Sequence, residues 1–325
     1  MEQKLSIIAE KLKTPCSDLS LLQGKMGIAL FFFHYARQLD YRYEEYAGQL
    51  IDEIMEGIPK MVSRSNINNI AEIGAGIEYL IQQEFISGDT NIIMEVFDTY
   101  IHRMVSINCL LPIAMRKDIT GYGKYYVARL NNPDNRMKTS PGIELIKKHI
   151  LQIVDSLPYY SFENIFSVIH FLPDVINLGI DRKKAGHYLN YAVDRLETVV
   201  YEDVFFGNYP GNFNPLIAAV LLFRAAAKND DDNFAASALH FLDNYESDFR
   251  QRLSDEQAMK WSFLYHTLWK AFNRDVYKEL SIQWLEKLTM DSIDSDYGKI
   301  IQTGMMLLTM NESINDDWID LFPLY

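Results

Sequence analysis

The sequence predicts an all-α fold, an α/α toroid of about seven inner and seven outer helices, from three observations. Apolar residues recur at intervals of three and four along the chain, which is the period of an amphipathic helix. No long stretch alternates apolar and polar residues, and only a short extended piece is expected, at 199–206. A helical hairpin also repeats along the chain, as in repeat architectures. We expect one toroid domain, residues 1–325.

The repeated element is a turn and a small residue followed by an apolar stretch. Seven copies occur, and those at 23–33, 72–81 and 119–130 are the clearest. Their small residues are Gly27, Gly76, Gly123, Ser167, Pro215, Ser262 and Gly304. Successive members of this series are 49, 47, 44, 48, 47 and 42 residues apart. We expect the small residues to let neighbouring backbones approach closely near the helix starts.

Longer and more charged helical segments separate the apolar stretches. They are expected at 2–13, 41–62, 90–106, 140–156, 182–199, 233–252 and 274–290. Each carries one apolar stripe, whereas the stretches between them are apolar nearly all round and must be covered on every side. An inner ring of apolar helices inside an outer ring of amphipathic helices covers the apolar helices and leaves the polar faces of the amphipathic helices in solvent. An open solenoid would need polar end caps, but the last unit and the tail at 318–325 are apolar.

Composition limits the partners and the compartment. The chain has 31 Lys and Arg against 44 Asp and Glu, a net charge of −13. An acidic surface repels phosphate backbones, so we expect no nucleic-acid partner. No apolar run approaches the roughly 18 residues of a membrane span, so we expect no membrane partner. Two cysteines, Cys16 and Cys109, are too few for a disulfide framework, and the first residues lack signal-peptide features. We therefore expect a cytoplasmic protein.

The glycine motif resembles a known family. The pattern Gly-x-x-Gly-Ile-Ala-Leu-Phe at 24–31, its shorter copies near 74 and 121, and the unit length are similar to the lanthionine cyclase-like (LanC-like) proteins. The resemblance implies an α/α toroid whose inner-helix starts open onto a central cavity. In active members, two cysteines and a histidine bind zinc there, and the metal activates a cysteine thiol of a peptide substrate for addition to a dehydrated residue.

The positions that match the family's zinc ligands hold other residues. The family's Trp-Cys-Tyr-Gly-x-Pro-Gly turn corresponds to 205–211, where Phe206 replaces the cysteine. The Cys-His-Gly turn corresponds to 256–262, which contains neither cysteine nor histidine. Cys16 and Cys109 lie outside both turns. The resemblance therefore implies a degenerate member with no metal ligands and no cofactor.

Carboxylates near the apolar-helix starts are the candidate catalytic residues. The set is Glu72, Asp118, Glu163, Asp255, Glu256 and Asp296, with Glu72, Asp118 and Glu163 as the main candidates. A glycosidase uses two carboxylates about 5 to 9.5 Å apart as acid and as base or nucleophile. Acidic residues also favour helix starts because they cap amide groups and oppose the helix dipole, so capping is the competing interpretation.

Aromatic and amide side chains are the candidate binding residues of the central cavity. They are Tyr122, Asn208, Tyr209, Asn212, Trp261 and Tyr297. Such side chains stack on and hydrogen-bond a peptide or a small molecule, although packing and turn formation use the same residue types. The first hypothesis is a zinc-free peptide-binding pseudoenzyme that works with an enzyme modifying a ribosomally made peptide. The second is a carbohydrate-active enzyme with paired carboxylates, and the third is an interaction scaffold.

Overall fold

The structure is a computed structural model that describes most of the chain. The described residues are 2–63, 68–112, 115, 118–136, 141–157, 164–206, 215–239, 255–288, 296–310 and 317–321. All regular structure within these ranges is helical, and no β-strand occurs in them. The predicted all-α class is confirmed, whereas closure of the hairpins into a toroid stays a prediction.

Sixteen α-helices follow one another along the described ranges, and we number them in chain order. The first eight are α1 (Glu2–Leu12), α2 (Lys25–Gln38), α3 (Tyr43–Ser63), α4 (Asn68–Gln82), α5 (Thr90–Ile93), α6 (Glu95–Leu110), α7 (Thr120–Asn131) and α8 (Pro133–Arg136). The others are α9 (Pro141–Ser156), α10 (Ile165–Asn177), α11 (Arg182–Phe206), α12 (Pro215–Asn229), α13 (232–239), α14 (Asp255–Phe272), α15 (Asp275–Lys287) and α16 (Tyr297–Met310). A 3₁₀ turn covers Asp317–Asp320.

Within the described residues, the predicted helical segments match these helices closely, with two exceptions. Residues 240–252 of the segment expected at 233–252 lie outside the described residues. The segment expected at 90–106 is divided into α5 and α6 at Met94. The extended piece expected at 199–206 is wrong, because α11 continues without a break to Phe206. Its β-branched and aromatic residues suggested a strand, but intrinsic propensity is a weak term that the continuing helix overrides.

Burial separates two kinds of helix, and they alternate along the chain. Helix α2 is buried on all sides from Met26 to Ala36, and α16 is buried almost as completely from Ile300 to Met310. By contrast, α1 buries only the stripe Leu5, Ile8, Ala9 and Leu12. A helix with one apolar stripe shields an apolar neighbour and presents its other face to solvent. This alternation is the pattern that the sequence predicts.

The backbone contacts group into two compact units. Unit 1 contains Met1–Ile101, Asp255–Met259 and Ile282–Pro323, and unit 2 contains His102–Ser254, Lys260–Ser281 and Leu324–Tyr325. In unit 1 the apolar helix α2 packs against α3, α4 and α16, and α1 packs against α16. In unit 2 the apolar helix α10 packs against α7, α11 and α12. The single toroid domain remains a prediction.

Glycines form the holes into which neighbouring apolar helices insert side chains. A Cβ on Gly76 would lie 3.0 Å from the side chain of Met26, and one on Gly123 would lie 2.5 Å from the ring of Phe171. A Cβ on Gly304 would lie 2.7 Å from the ring of Phe31. Carbon atoms essentially never approach within 3.0 Å, and 3.0 Å is itself a tight contact, so a methyl group at these sites would force the neighbouring side chain or helix to shift. Close backbone approach, the role predicted for the small residues, occurs at Gly27, whereas at Gly76, Gly123 and Gly304 a neighbouring side chain fills the space.

Four apolar helices end with a residue in the left-handed conformation. These residues are Glu84 (φ 58°), Gly179 (φ 75°), Asp230 (φ 53°) and Asn273 (φ 48°). At the end of α4, the Phe85 N–H donates to the Leu80 carbonyl at 2.9 Å. The Ile180 and Asp231 amides make the same five-residue bond after α10 and α12. This Schellman-type ending reverses the chain within a few residues, which starts the next helix of the repeat.

Gly27 provides a test of the close packing. A Cβ there would lie 2.2 Å from the backbone carbonyl oxygen of Leu21, whereas a Cβ on Gly48 in α3 meets nothing within 4 Å. We expect Gly27→Ala to lower the free energy of unfolding by about 2–3 kcal/mol through overpacking. Gly48→Ala should raise it by up to about 1 kcal/mol through helix propensity. Urea unfolding followed by circular dichroism checks both, and equal midpoints for the two variants would contradict the proposed role of Gly27.

Candidate functional site

Glu72 is the predicted carboxylate with the most unusual environment. It lies in α4 and is partly buried. Burial raises its pKa to about 7, and the nearby carboxylate of Asp18 adds to this rise. Asp18 belongs to the segment between α1 and α2, where its Oδ1 accepts a hydrogen bond from the Ser20 N–H at 2.7 Å. At neutral pH the Glu72 carboxyl is therefore protonated in a substantial fraction of molecules.

Asp118 holds the start of α7 in unit 2. Its Oδ1 accepts hydrogen bonds from the Thr120 N–H at 2.8 Å and from the Thr120 hydroxyl at 2.7 Å. These bonds satisfy groups that the first turn of a helix leaves unpaired. Glu163 lies outside the described residues, and for Asp255 and Glu256 only the helical backbone is described.

The aromatic candidates occupy different environments. Tyr122 is buried in α7, and Trp261 is buried in α14, where its ring stacks on Tyr265 with centroids 5.7 Å apart. Tyr297 begins α16 in unit 1 and is partly exposed, and its hydroxyl hydrogen-bonds that of Thr14 at 2.5 Å. Asn208, Tyr209 and Asn212 lie outside the described residues.

The two stretches matched to the family's zinc turns differ in how much of them is described. Helix α11 ends at Phe206, and 207–211 lies outside the described residues. The stretch 256–262 forms the first turns of α14. Its Ser262 hydroxyl lies 2.9 Å from that of Ser281, and both are buried. Across the described part of the chain, no three His, Cys, Asp or Glu side chains gather as metal ligands do.

The cysteines and the buried histidines make protein contacts. Cys16 is partly buried, and its Sγ is 3.7 Å from the carbonyl oxygens of Asp18 and Gln23. Burial raises the pKa of the Cys16 thiol, which disfavours the nucleophilic thiolate. The His34 imidazole lies 3.0 Å from the Tyr79 hydroxyl, and burial lowers its pKa to about 3. Both residues therefore stay uncharged at neutral pH.

A groove in unit 1 is a concave feature that described residues line. It lies between the end of α1 and the start of α3 and encloses about 670 Å³. Its lining is Glu10, Lys13, Arg42, Tyr43 and Tyr46. This volume is within the range of ligand sites in proteins, which is about 300–1,000 Å³. The groove mixes charged groups with tyrosine rings, as sites for peptides and other polar ligands do.

Hydrogen bonds fix the charged groups on the α1 side of the groove. Glu10 Oε1 accepts hydrogen bonds from Lys13 Nζ at 2.7 Å and from the Tyr43 hydroxyl at 3.0 Å. The Lys13 ammonium also lies 4.7 Å from the centre of the Tyr43 ring, within the distance of a cation–π contact. Hydrogen bonds to Glu10 and Tyr43 raise the pKa of Lys13 to about 12, so it stays charged.

The tyrosines of the groove rest on the apolar helix α2. The Tyr43 ring stacks on Phe32 with centroids 5.1 Å apart, and Tyr46 meets the same ring edge-on at 5.0 Å. Burial raises the pKa of Tyr46, and the nearby groups of Glu53, Tyr297 and Cys16 raise it further. The Tyr46 phenol is therefore a neutral hydrogen-bond donor, and the predicted residue Tyr297 lies close to it.

The sequence analysis did not predict this groove. Its residues come from the ends of two amphipathic helices, whereas the predicted site residues lie near the starts of the apolar helices. One signal was available in the segment Asp40-Tyr41-Arg42-Tyr43-Glu44-Glu45-Tyr46, where tyrosines are interleaved with both signs of charge. That pattern is also typical of an exposed helix start, so only the structure distinguishes the two interpretations.

Comparison with known proteins does not identify a family for this chain. No protein-family model matches the chain, and no curated protein is significantly similar to it. None of the described helices combines the length and the apolar character needed to cross a membrane.

The raised pKa of Glu72 predicts how one substitution changes the pH dependence of stability. The folded state holds the Glu72 proton up to about pH 7, and the usual value is 4.5. The protonated Glu72 therefore makes its full contribution to the free energy of unfolding below pH 4.5. This contribution is lost as the pH rises through 7. Glu72→Gln cannot ionise, so its stability relative to the natural protein should increase between these values and then level off.

Urea unfolding midpoints at pH values of about 4.5, 6 and 8 check this prediction. The matched control is Glu56→Gln, since Glu56 is an exposed glutamate of α3 in the same unit. It controls for the loss of one carboxyl group from the same unit. Parallel pH curves for the natural protein and Glu72→Gln would contradict the raised pKa.

Proposed function

We propose that this chain is a zinc-free LanC-like protein whose helical hairpins close into an α/α toroid and which binds a peptide without cyclising it. The repeat of glycine-marked apolar helices supports the family and the shape. So does the packing of the last apolar helix, α16, against the first, α2. In this proposal the protein presents the peptide to a separate enzyme that modifies it.

The groove of about 670 Å³ in unit 1 carries the peptide-binding proposal. It offers the Tyr43 and Tyr46 rings to side chains and charged groups of both signs to the peptide backbone and its polar residues. An extended peptide advances about 3.3 Å per residue, so a volume of this size accommodates a few residues. Tyr46 makes no hydrogen bond to any described residue, so its hydroxyl is available to a ligand.

The proposed protein does not cyclise the peptide because its residues at the matched positions are not the family's zinc ligands. Thiol activation needs a metal held by thiolate and imidazole ligands. Phe206 and the stretch 256–262 stand at the matched positions and provide neither group.

Binding of a fluorescently labelled pool of random hexapeptides, measured by anisotropy, tests the function. Tyr46→Ala should weaken binding by about tenfold because it removes a stacking surface and a hydroxyl donor. Tyr191→Ala is the control, since Tyr191 is half exposed on α11 and belongs to unit 2, whereas the groove residues belong to unit 1. Metal analysis of the purified protein should find no stoichiometric zinc. Zinc at one equivalent, with peptide cyclisation that a chelator abolishes, would overturn the proposal.

A second function, glycoside hydrolysis, is favoured by the environment of Glu72. A general acid must be protonated near neutral pH, and the pKa of Glu72 at about 7 meets this need. The Asp18 carboxylate, which helps to raise this pKa, would act as the second carboxylate. Asp118, in contrast, is engaged at the start of α7.

Screening against a panel of glycans distinguishes this second function. If it is correct, Glu72→Gln should lower kcat by at least about a hundredfold because the acid is removed. Asp118→Asn should leave kcat within about threefold of the natural value. Absence of hydrolysis of any glycan, or full activity of Glu72→Gln, would eliminate glycoside hydrolysis.

A further inference from the structure

Three aromatic rings from three helices stack on one another within unit 2. The centroid of the His102 ring, on α6, lies 4.9 Å from that of His149 and 5.4 Å from that of Tyr126. The rings of Tyr126, on α7, and His149, on α9, have centroids 5.7 Å apart and an angle of 7° between their planes. All three residues belong to unit 2. We call this set the ring column.

His149 occupies a position in the apolar stripe of α9. The other buried residues of this helix include Ile146, Ile150 and Ile153, and His149 itself is only 3% exposed. Helix α9 packs against α7, whose Tyr126 is completely buried. The ring column is therefore part of the contact between α7 and α9, and it places a group that can ionise inside that contact.

One hydrogen bond fixes the proton on the neutral His149 ring. Its Nδ1 lies 2.8 Å from Gln152 Oε1, and the N–H of Nδ1 donates because an amide oxygen can only accept. A second proton would add at Nε2, for which the described residues provide no acceptor. Protonation of His149 therefore adds a charge to the ring column without adding a hydrogen bond within the described protein.

The surroundings of His149 disfavour the charged ring. Burial lowers the pKa of His149 below its usual value of 6.5 and outweighs the hydrogen bond to Gln152, which acts in the opposite direction. The Lys148 ammonium lowers this pKa further. A charge on the neighbouring His102 ring would act in the same direction, because like charges repel. The Tyr126 hydroxyl is hydrogen-bonded to His102 Nδ1 at 2.7 Å.

We infer that the ring column is an acid-sensitive contact, in which protonation of His149 at mildly acidic pH breaks the stack and loosens α9 from α7. The charged ring recovers its hydration only by leaving the apolar stripe. The contribution of neutral His149 to the free energy of unfolding is therefore complete above pH 6.5 and is lost as the pH falls below that value. This property of unit 2 is independent of the peptide site proposed in unit 1.

Hydrogen exchange of the α9 backbone amides at pH values of about 7.5 and 5, corrected for intrinsic exchange rates, tests the inference. In the natural protein the protection of these amides should fall at least about fivefold on acidification. His149→Phe retains an aromatic ring but cannot ionise, so its α9 protection should stay within about twofold. His187→Gln is the matched control, since His187 is exposed on α11 of the same unit, and it should lose protection as the natural protein does.

Proton NMR of the imidazole groups provides a second measurement. The His149 signal, assigned by its absence from the spectrum of His149→Phe, should titrate below pH 6.5. If His149→Phe is not helical by circular dichroism, His149→Gln takes its place, because it cannot ionise either.

Two results would contradict the inference. Equal protection of α9 at the two pH values in the natural protein would show that protonation does not loosen this helix. An equal loss of protection in the natural protein and in the His149 variant would assign the acid sensitivity to other groups.

Discussion

The packing of apolar helices into glycine holes is the constraint on which the described structure depends. In unit 1, Met26 fills the space at Gly76, and Phe31 fills the space at Gly304. In unit 2, Phe171 fills the space at Gly123. Each contact joins two helices that are covered on nearly all sides, so their separation is set by a residue that has no side chain. The amphipathic helices then cover this apolar layer with a single stripe each, and their polar faces remain available for other contacts.

The groove is a consequence of this layering. Phe32 belongs to the buried helix α2, and it supports both Tyr43 and Tyr46 of the covering helix α3. The rings are therefore held by the core, whereas their polar edges and the charged groups beside them face outward. A ligand that binds there meets side chains that are already positioned, which reduces the entropy that binding costs. The same arrangement keeps Tyr46 protonated, because burial and its acidic neighbours disfavour the phenolate.

Glu72 shows how the same fold creates an unusual carboxyl group. The sequence indicates Glu72 because acidic residues near the starts of the apolar helices would converge in a toroid. The structure places it partly out of water and close to the Asp18 carboxylate, and both effects favour the protonated form. Asp118, chosen by the same argument, instead satisfies the open end of α7. Identical residue types at matched repeat positions thus acquire different chemistry from their surroundings.

The sequence by itself determined the helical class, the order of the helices and which of them are buried, because the period of apolar residues and the spacing of Gly27, Gly76 and Gly123 depend only on local order. It also indicated Glu72 and Tyr297 as residues of interest. Only the tertiary structure decided that Glu72 lies near Asp18 and that Glu10 and Lys13 share a groove with Arg42, Tyr43 and Tyr46. These residues are separated by about 30 or more positions in the chain, and no pattern of local period encodes which distant side chains meet when helices pack.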